Sequence, residues 1–181
     1  FTIQFNYTEK YSGNGIASTP TSNWIGESHI IPTALGEYNI TCNTSAYQVN
    51  QLHSLIIEVD EVGYESQSIL IKIEVSERET DIDAYLNQTL QTAIVFPYDE
   101  VLNITAIYID HDTGNFIDGA LVQLKDGETV IGTLSKHASL NQYFLLKNTA
   151  DFGIGVKSLT IYAKLDNYSA ISIGITITVT E

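Results

Sequence analysis

The sequence predicts an all-β protein built as two tandem antiparallel β-sandwiches, and three observations carry that prediction. The first is internal duplication. Residues 55–77 (LIIEVDEVGYESQSILIKIEVSE) recur 104 positions later as residues 159–181 (LTIYAKLDNYSAISIGITITVTE). Leu55/Leu159, Ile57/Ile161, Tyr64/Tyr168, Ile71/Ile175, Ile73/Ile177 and Val75/Val179 align there without a gap. Residues 1–7 match residues 102–108 at an offset of 101, which also carries Gly13-Asn14 onto Gly114-Asn115; the offset is 105 at Tyr38/Tyr143. The second observation is a dominant period of two, the mark of strands with one face in a core and one in water. The third is a turn signal every 8–12 residues in the second copy.

The elements can be taken in chain order. In the first copy Leu55, Ile57 and Val59 alternate with polar neighbours, and Ile69, Ile71, Ile73 and Val75 do the same, with Val62-Gly63 turning the chain between them. The second copy reads as strands near 83–96, 102–110, 119–125, 128–134, 139–147, 156–165 and 170–180. Asp126-Gly127 is a two-residue hairpin signal, and Asp166-Asn167 turns the last hairpin. Residues 83–92 are ambiguous; no 12-residue window has a convincing helical period. Seven short strands in one unit predict a two-sheet sandwich of immunoglobulin-like type, whereas a barrel or jelly roll wants more strands. The expected domains are 1–78, lacking its first strand, and 79–181.

Phe1 aligns with Leu102, so the counterpart of residues 80–101 is missing from the first copy. Excision from a longer array is the preferred explanation, since tandem arrays normally run to many repeats. Strand donation by an identical neighbour is the alternative. The joint at 76–83 (SERETDID) carries neither Gly nor Pro, which predicts a stiff connection.

Composition narrows the partners. With 22 acidic and 8 basic residues the formal net charge is −14, which argues against nucleic acid or anionic lipid. No apolar run reaches the 18 or so residues of a membrane span, so no direct membrane insertion is expected. Cys42 is the only cysteine, read as a buried, inert thiol. Asn-x-Ser/Thr acceptors occur at Asn6, Asn39, Asn43, Asn87, Asn103 and Asn167, against about two by chance. A strand face rich in Asn and Thr produces such triplets automatically, yet Asn6, Asn39 and Asn103 lie in the phase opposite the apolar residues. Together with the charge, they predict extracellular, glycosylated exposure.

Few constellations suggest chemistry. Asp110, Asp112, Asn115 and Asp118 surround a Gly turn and offer the oxygens a Ca²⁺ ion wants; no other cofactor is indicated. The first copy keeps the Gly-Asn but not the second acid, which favours a plain turn. The acids Glu77, Glu79, Asp81 and Asp83 at the joint are a second place to look for calcium, or a solvated charge run. His29, His53, His111 and His137 are scattered, and no nucleophile elbow or phosphate loop is present. No catalytic residue is indicated. Trp24 has no aromatic counterpart in the second copy; it reads as a buried sandwich Trp, with contact to a carbohydrate ligand as the alternative.

The run Asp112-Thr113-Gly114-Asn115-Phe116-Ile117-Asp118-Gly119-Ala120-Leu121-Val122 resembles the strand-turn-strand element of bacterial immunoglobulin-like (Big-type) repeats in prokaryotic surface proteins. The closing hairpin Leu159–Val179 and the Arg78-Glu79-Thr80 junction are similar to theirs, while Gly15–Pro20 is a weaker version of the element. The resemblance implies surface-layer, filament or adhesin proteins without catalytic residues, and the acidic, acceptor-rich composition looks archaeal. The function expected is thus a non-catalytic structural module, a stiff glycosylated rod whose partners are other copies or repeats of the same surface protein. The alternatives are an adhesin that binds a glycan or protein through its loop tips, and an accessory domain pair of a secreted hydrolase.

Overall fold

The computed structural model describes residues 1–25 and 29–181. The chain divides into two compact units, Phe1–Ser76 and Glu77–Glu181. This boundary falls two residues before the expected one because Arg78 is bonded into the second unit. Its N–H donates to the Asn167 carbonyl at 3.0 Å, and its carbonyl accepts from Ser169 N–H at 2.9 Å.

The first unit contains β1 (Thr2–Asn6), β2 (Thr21–Ser22), β3 (His29–Ala34), β4 (Glu37–Thr41), β5 (Gln51–Val59) and β6 (Gln67–Val75). These make two three-stranded antiparallel sheets, β1-β4-β3 and β2-β5-β6. Alternation in the strands turns Phe5, Tyr38, Ile40, Leu55, Ile57 and Val59 into the shared core, where Trp24 and Cys42 join them. Burial raises the pKa of the Cys42 thiol, keeping it in the unreactive form.

The second unit contains β7 (Thr80–Leu86), β8 (Thr89–Leu90), β9 (Ala93–Pro97), β10 (Val101–Asp110), β11 (Leu121–Asp126), β12 (Thr129–Lys136), β13 (Tyr143–Asn148), β14 (Gly155–Lys164) and β15 (Ile171–Thr180). A single turn of 3₁₀ helix covers Thr149–Asp151. The strands join in the order β8-β7-β10-β13-β12-β11-β14-β15-β9. The run folds over at β12, whose Thr129–Leu134 part pairs with β11 and whose Ser135–Lys136 end pairs with β13. Between the two layers lie Leu86, Leu102, Ile104 and Tyr108 from one side and Val122, Leu124, Ile161 and Ile177 from the other. This is an immunoglobulin-like sandwich, the fold class the sequence predicts.

The strand expected at 83–96 is instead broken into three. Asn87 and Gln88 adopt positive φ values of 49° and 67° and reverse the chain. The part before the reversal pairs antiparallel with β10, and the later part, β9, pairs parallel with β15 in the other layer. The period-two pattern runs through as one continuous alternation because β7 and β9 each turn alternate residues inward, though against different sheets, while both residues of β8 are exposed.

The duplication is exact in register. Phe5 faces Tyr38 as Ala106 faces Tyr143, and Ile57 faces Ile69 as Ile161 faces Ile173. Even the buried tyrosines repeat their bonds. The Tyr143 hydroxyl accepts from Ala120 N–H at 2.9 Å and donates to the Ile117 carbonyl at 2.8 Å. Tyr38 accepts from Ser18 N–H at 2.7 Å and donates to the Ile16 carbonyl at 3.1 Å. Tyr108 and Tyr7 reach the Ser169 and Glu65 carbonyls respectively. Each clamp ties a loop to the far sheet. Tyr143→Phe strands a backbone donor and acceptor, so it is expected to cost roughly 1–3 kcal/mol of second-unit stability in urea titration. A loss of a few tenths would show that water replaces the hydroxyl freely.

The units differ at their edges. β10 has strands on both sides and so does β15, whereas among the described residues their counterparts β1 and β6 have one neighbour each. Burial differs accordingly. Leu102 is 0% exposed but its counterpart Phe1 is 49%, and Ile175 and Ile177 are at most 2% exposed whereas Ile71 and Ile73 are half-buried.

Candidate functional site

The segment from Asp110 to Asp118, the first place the sequence marks for a ligand, folds as a self-bonded turn. Asp110 Oδ1 accepts from Thr113 N–H and Thr113 Oγ1, both at 3.0 Å. Gly114, at φ 66°, donates to the Asp110 carbonyl, and Asp110 N–H donates to the Asn115 carbonyl. The first unit repeats this with other residues: Ser12 Oγ bonds the Glu9 carboxylate, Gly13 N–H donates to the Glu9 carbonyl, and Glu9 N–H donates to the Asn14 carbonyl. Both copies therefore need the acid and the Gly to close a turn.

The remaining Asp110 oxygen faces Arg78, whose guanidinium lies 2.7 Å away and is itself 5.7 Å from the Tyr168 ring. The Asp110 side chain is only 4% exposed. The guanidinium approaches Oδ2 off the hydrogen-bond direction, so this oxygen has charge neutralisation without a directed bond. Burial alone would raise the Asp110 pKa, but the bonds from Thr113 and the charge of Arg78 outweigh it and hold the carboxyl below its ordinary range. Asp118 pairs with Lys136 and caps Gly119 N–H at 2.7 Å; its pKa is lowered, chiefly by the Lys136 bond. Asp112 is exposed, and Asn115 takes part through its backbone.

Of the Asp110, Asp112, Asn115 and Asp118 set at which calcium is expected from the sequence, Asp110 faces Arg78 and Asp118 pairs with Lys136, which leaves less free negative charge for a cation. Among the described residues no three Asp, Glu, His or Cys side chains are grouped to hold a metal ion. The acids of the joint do not gather either. Asp81 pairs with His111 at 2.7 Å, raising the imidazole pKa through that bond, and both groups are half exposed. Millimolar Ca²⁺ is expected to leave the melting temperature of the second unit unchanged; a rise would restore the metal reading.

The Asp110 pair sets a pH dependence with a definite sign. A carboxyl depressed in the folded state stabilises fully above the unfolded value, near 3.9. That contribution is lost as pH falls through the lower folded value. The stability gap between wild type and Asp110→Asn is thus expected to be full at neutral pH and to close in acid. A gap independent of pH would show that Arg78 contributes nothing through charge.

Trp24 is 4% exposed, donates Nε1–H to the Asn43 carbonyl at 2.7 Å and stacks on Tyr47 with ring centroids 4.0 Å apart. Its π-face is taken up by that packing. Of the acceptor asparagines, Asn6, Asn43, Asn87 and Asn167 are exposed. Asn39 and Asn103 are half-buried, each on a strand with neighbours on both sides. Sequence reasoning missed an open groove on the outer face of the second unit, lined by Tyr85, Asn103, Thr105, His137, Phe144 and Leu146 among others. Its residues come from separate strands, so no local pattern marks it. Arg78 was missed as an ion-pair partner because it has no counterpart in the first copy.

No family model and no curated protein matches this sequence. Among solved structures it is similar to S-layer protein SbsC domains 4 and 5, at 14% identity, covering 97% of this chain and 80% of that one with a TM-score of 0.39. It is similar to titin tandem immunoglobulin domains at 6% identity, covering 99% and 88%, TM-score 0.36. It is also similar to an endo-fucoidan hydrolase of glycoside hydrolase family 107 at 16% identity and TM-score 0.35; there 92% of this chain spans about a quarter (24%) of that one. Overlaps at this level describe strand layout and carry no assignment of activity.

Proposed function

We propose that this chain is a non-catalytic structural module of an extracellular surface-layer or filament protein, with further copies of the same repeat as its partners. The observation that carries the reading is what the two copies share. Among the described residues they keep the same core rows, tyrosine clamps and turn bonds. Selection for packing alone is what a spacer needs. The acidic exterior and the four exposed acceptor asparagines suit a glycosylated, self-repelling surface, archaeal as the resemblance implies. A joint without Gly or Pro suits a stiff rod. The test is glycopeptide mass spectrometry on protein from its native source together with surface labelling of intact cells. Glycan at the exposed asparagines and accessible label support the reading; bare sites and inaccessible protein overturn it.

The groove around Tyr85 and Phe144 favours a second reading, a binding module that holds a glycan or peptide. Aromatic faces beside Asn, Thr and His side chains are the chemistry that recognises sugars. Asn103 is itself an acceptor within the groove, so its modification would fill the site. A glycan array read with wild type and Tyr85→Ala separates the two readings.

A further inference from the structure

The groove on the outer face of the second unit has walls that the fold does not require. Tyr85 on β7, Thr105 on β10 and Phe144 on β13 pair in register across neighbouring strands, so their side chains leave the same face of the sheet. That face is turned away from the core, which takes Leu102, Ile104 and Ala106 from β10 instead. Thr105 is nonetheless only 4% exposed. The two half-buried rings stand on either side of it, rooted about 9–10 Å apart across two strand spacings. One step along the same face Asn103 pairs with Leu146, which is 58% exposed. The first unit keeps this register without the walls. There Gln4 faces Asn39 where Thr105 faces Phe144, and Thr2 faces Thr41 where Asn103 faces Leu146. The sandwich therefore folds with polar groups at these places, and the ring and the leucine of the second copy serve something other than the fold.

An acceptor lies inside the groove. Asn103-Ile104-Thr105 is an Asn-x-Thr triplet, and both its polar members line the walls and floor. The Thr105 hydroxyl donates to Asn103 Oδ1 at 3.2 Å. Among the described residues Asp110 Oδ2 is the only buried side-chain nitrogen or oxygen left without a bond. Asn103 Nδ2 also lacks one, so it opens to solvent. We propose that the groove is the seat of Asn103's own glycan: the first sugar of an N-linked chain lies over Thr105, with its C–H faces against the Tyr85 and Phe144 rings. The slightly positive hydrogens of a pyranose suit the negative face of an aromatic ring, and the sugar hydroxyls stay in water at the rim. Transfer joins Asn103 Nδ2 to the anomeric carbon of a lipid-linked sugar diphosphate. The bond from that carbon to the phosphate oxygen breaks, the lipid diphosphate leaves, and the amide gives one proton to a base of the transferase. Because β10 is paired on both sides, the transfer precedes closure of the sheet. The seat rests on the chain being a glycosylated surface module, yet the two fail separately, since that reading needs sugar only at the exposed asparagines.

The test is secretion of the full chain from a eukaryotic host that attaches N-acetylglucosamine-based glycans, followed by enzymatic trimming to the first sugar. Glycopeptide mass spectrometry, proton NMR and melting by far-UV dichroism are then read. Asn103 is expected to be occupied, with its sugar protons shifted upfield by ring currents and in Overhauser contact with Tyr85 and Phe144. The second unit should melt about 2–8 °C higher than in Asn103→Gln. Tyr85→Ser and Phe144→Asn, the latter installing the residue type of the first copy, keep the acceptor and point away from the core. Each is expected to abolish the shifts due to its ring, and together they remove the melting gain. Thr89→Ala destroys the neighbouring acceptor at Asn87, whose N–H donates to the Asn103 carbonyl at 2.8 Å, and leaves these results unchanged. A bare Asn103 beside an occupied Asn87 overturns the proposal and spares the surface-module reading, and a free glycan bound by that bare groove gives the site to a separate ligand. Unshifted sugar protons at an occupied Asn103, or a melting gain that survives loss of both rings, overturns it equally. No sugar at any acceptor overturns both.

Discussion

Gly36→Ala is expected to lower the stability of residues 1–76 by roughly 2–5 kcal/mol while the second unit keeps its own transition. Gly36 has φ +73°, and a Cβ there would lie 2.4 Å from the Tyr7 carbonyl oxygen, 2.5 Å from Gly15 Cα and 2.7 Å from Ile16 N. All three are backbone atoms, and they are pinned. Tyr7 N–H donates to the Gly36 carbonyl at 2.7 Å, and Ile16 N–H donates to the Tyr7 carbonyl at 2.9 Å. The left-handed conformation alone costs an alanine about 1–2 kcal/mol, and an overpacked site adds roughly 1–3 kcal/mol. A unit of this size has of order 4–11 kcal/mol to lose. Trp24 is the only tryptophan and is buried in the first unit, so its fluorescence reports that unit alone. Gly63→Ala is the control, since Gly63 also has positive φ but open space around its would-be Cβ. It should cost only the left-handed term, about 1–2 kcal/mol. A Gly36→Ala protein whose Trp24 transition stays at the wild-type midpoint would refute the backbone crossing.

The second large effect comes from one residue pair aligned by the duplication. Ile177→Ala is expected to lower second-unit stability by about 2–5 kcal/mol, the range for truncating a buried isoleucine. Ile177 is fully buried between Ile94 on β9 and Lys157 on β14. Its counterpart Ile73 pairs with His53 on one side and, among the described residues, has no strand on the other. Ile73→Ala should therefore cost clearly less, about 1–2 kcal/mol, because a half-exposed side chain has less apolar surface to return to water. Separate urea transitions, followed by Trp24 for the first unit and far-UV dichroism for both, give the two numbers. Equal costs would mean that Ile73 is covered in solution and that the first unit is not open at β6.

Much of this architecture is legible in the residue pattern. The alternation of Ile171, Ile173, Ile175, Ile177 and Val179 announces β15, and its copy announces β6. Positive φ at Gly63, Asn167 and Gly127 is announced by the turn signals around them, although the hairpin loop proper is Gly127-Glu128, flanked by the Asp126–Thr129 pair. The site is less legible. Asp110, Asp112 and Asp118 read as oxygen donors because a linear pattern shows only the acids. Arg78 lies 32 positions away from Asp110, and Lys136 lies 18 positions from Asp118, so the neutralising charges are invisible in it. Trp24 poses the same problem: its lack of an aromatic counterpart is visible, its stacking on Tyr47 is not.

Strand content, the pairing of the two copies and the identity of the core rows belong to the amino-acid order alone, because side-chain alternation along a strand is a near-neighbour property. The tertiary structure decided which edges are closed, where the leading segment breaks between layers, and which carboxylates are already spent. Those outcomes depend on which distant strands come to lie side by side, and charge pairing, burial and edge exposure are all set by that arrangement.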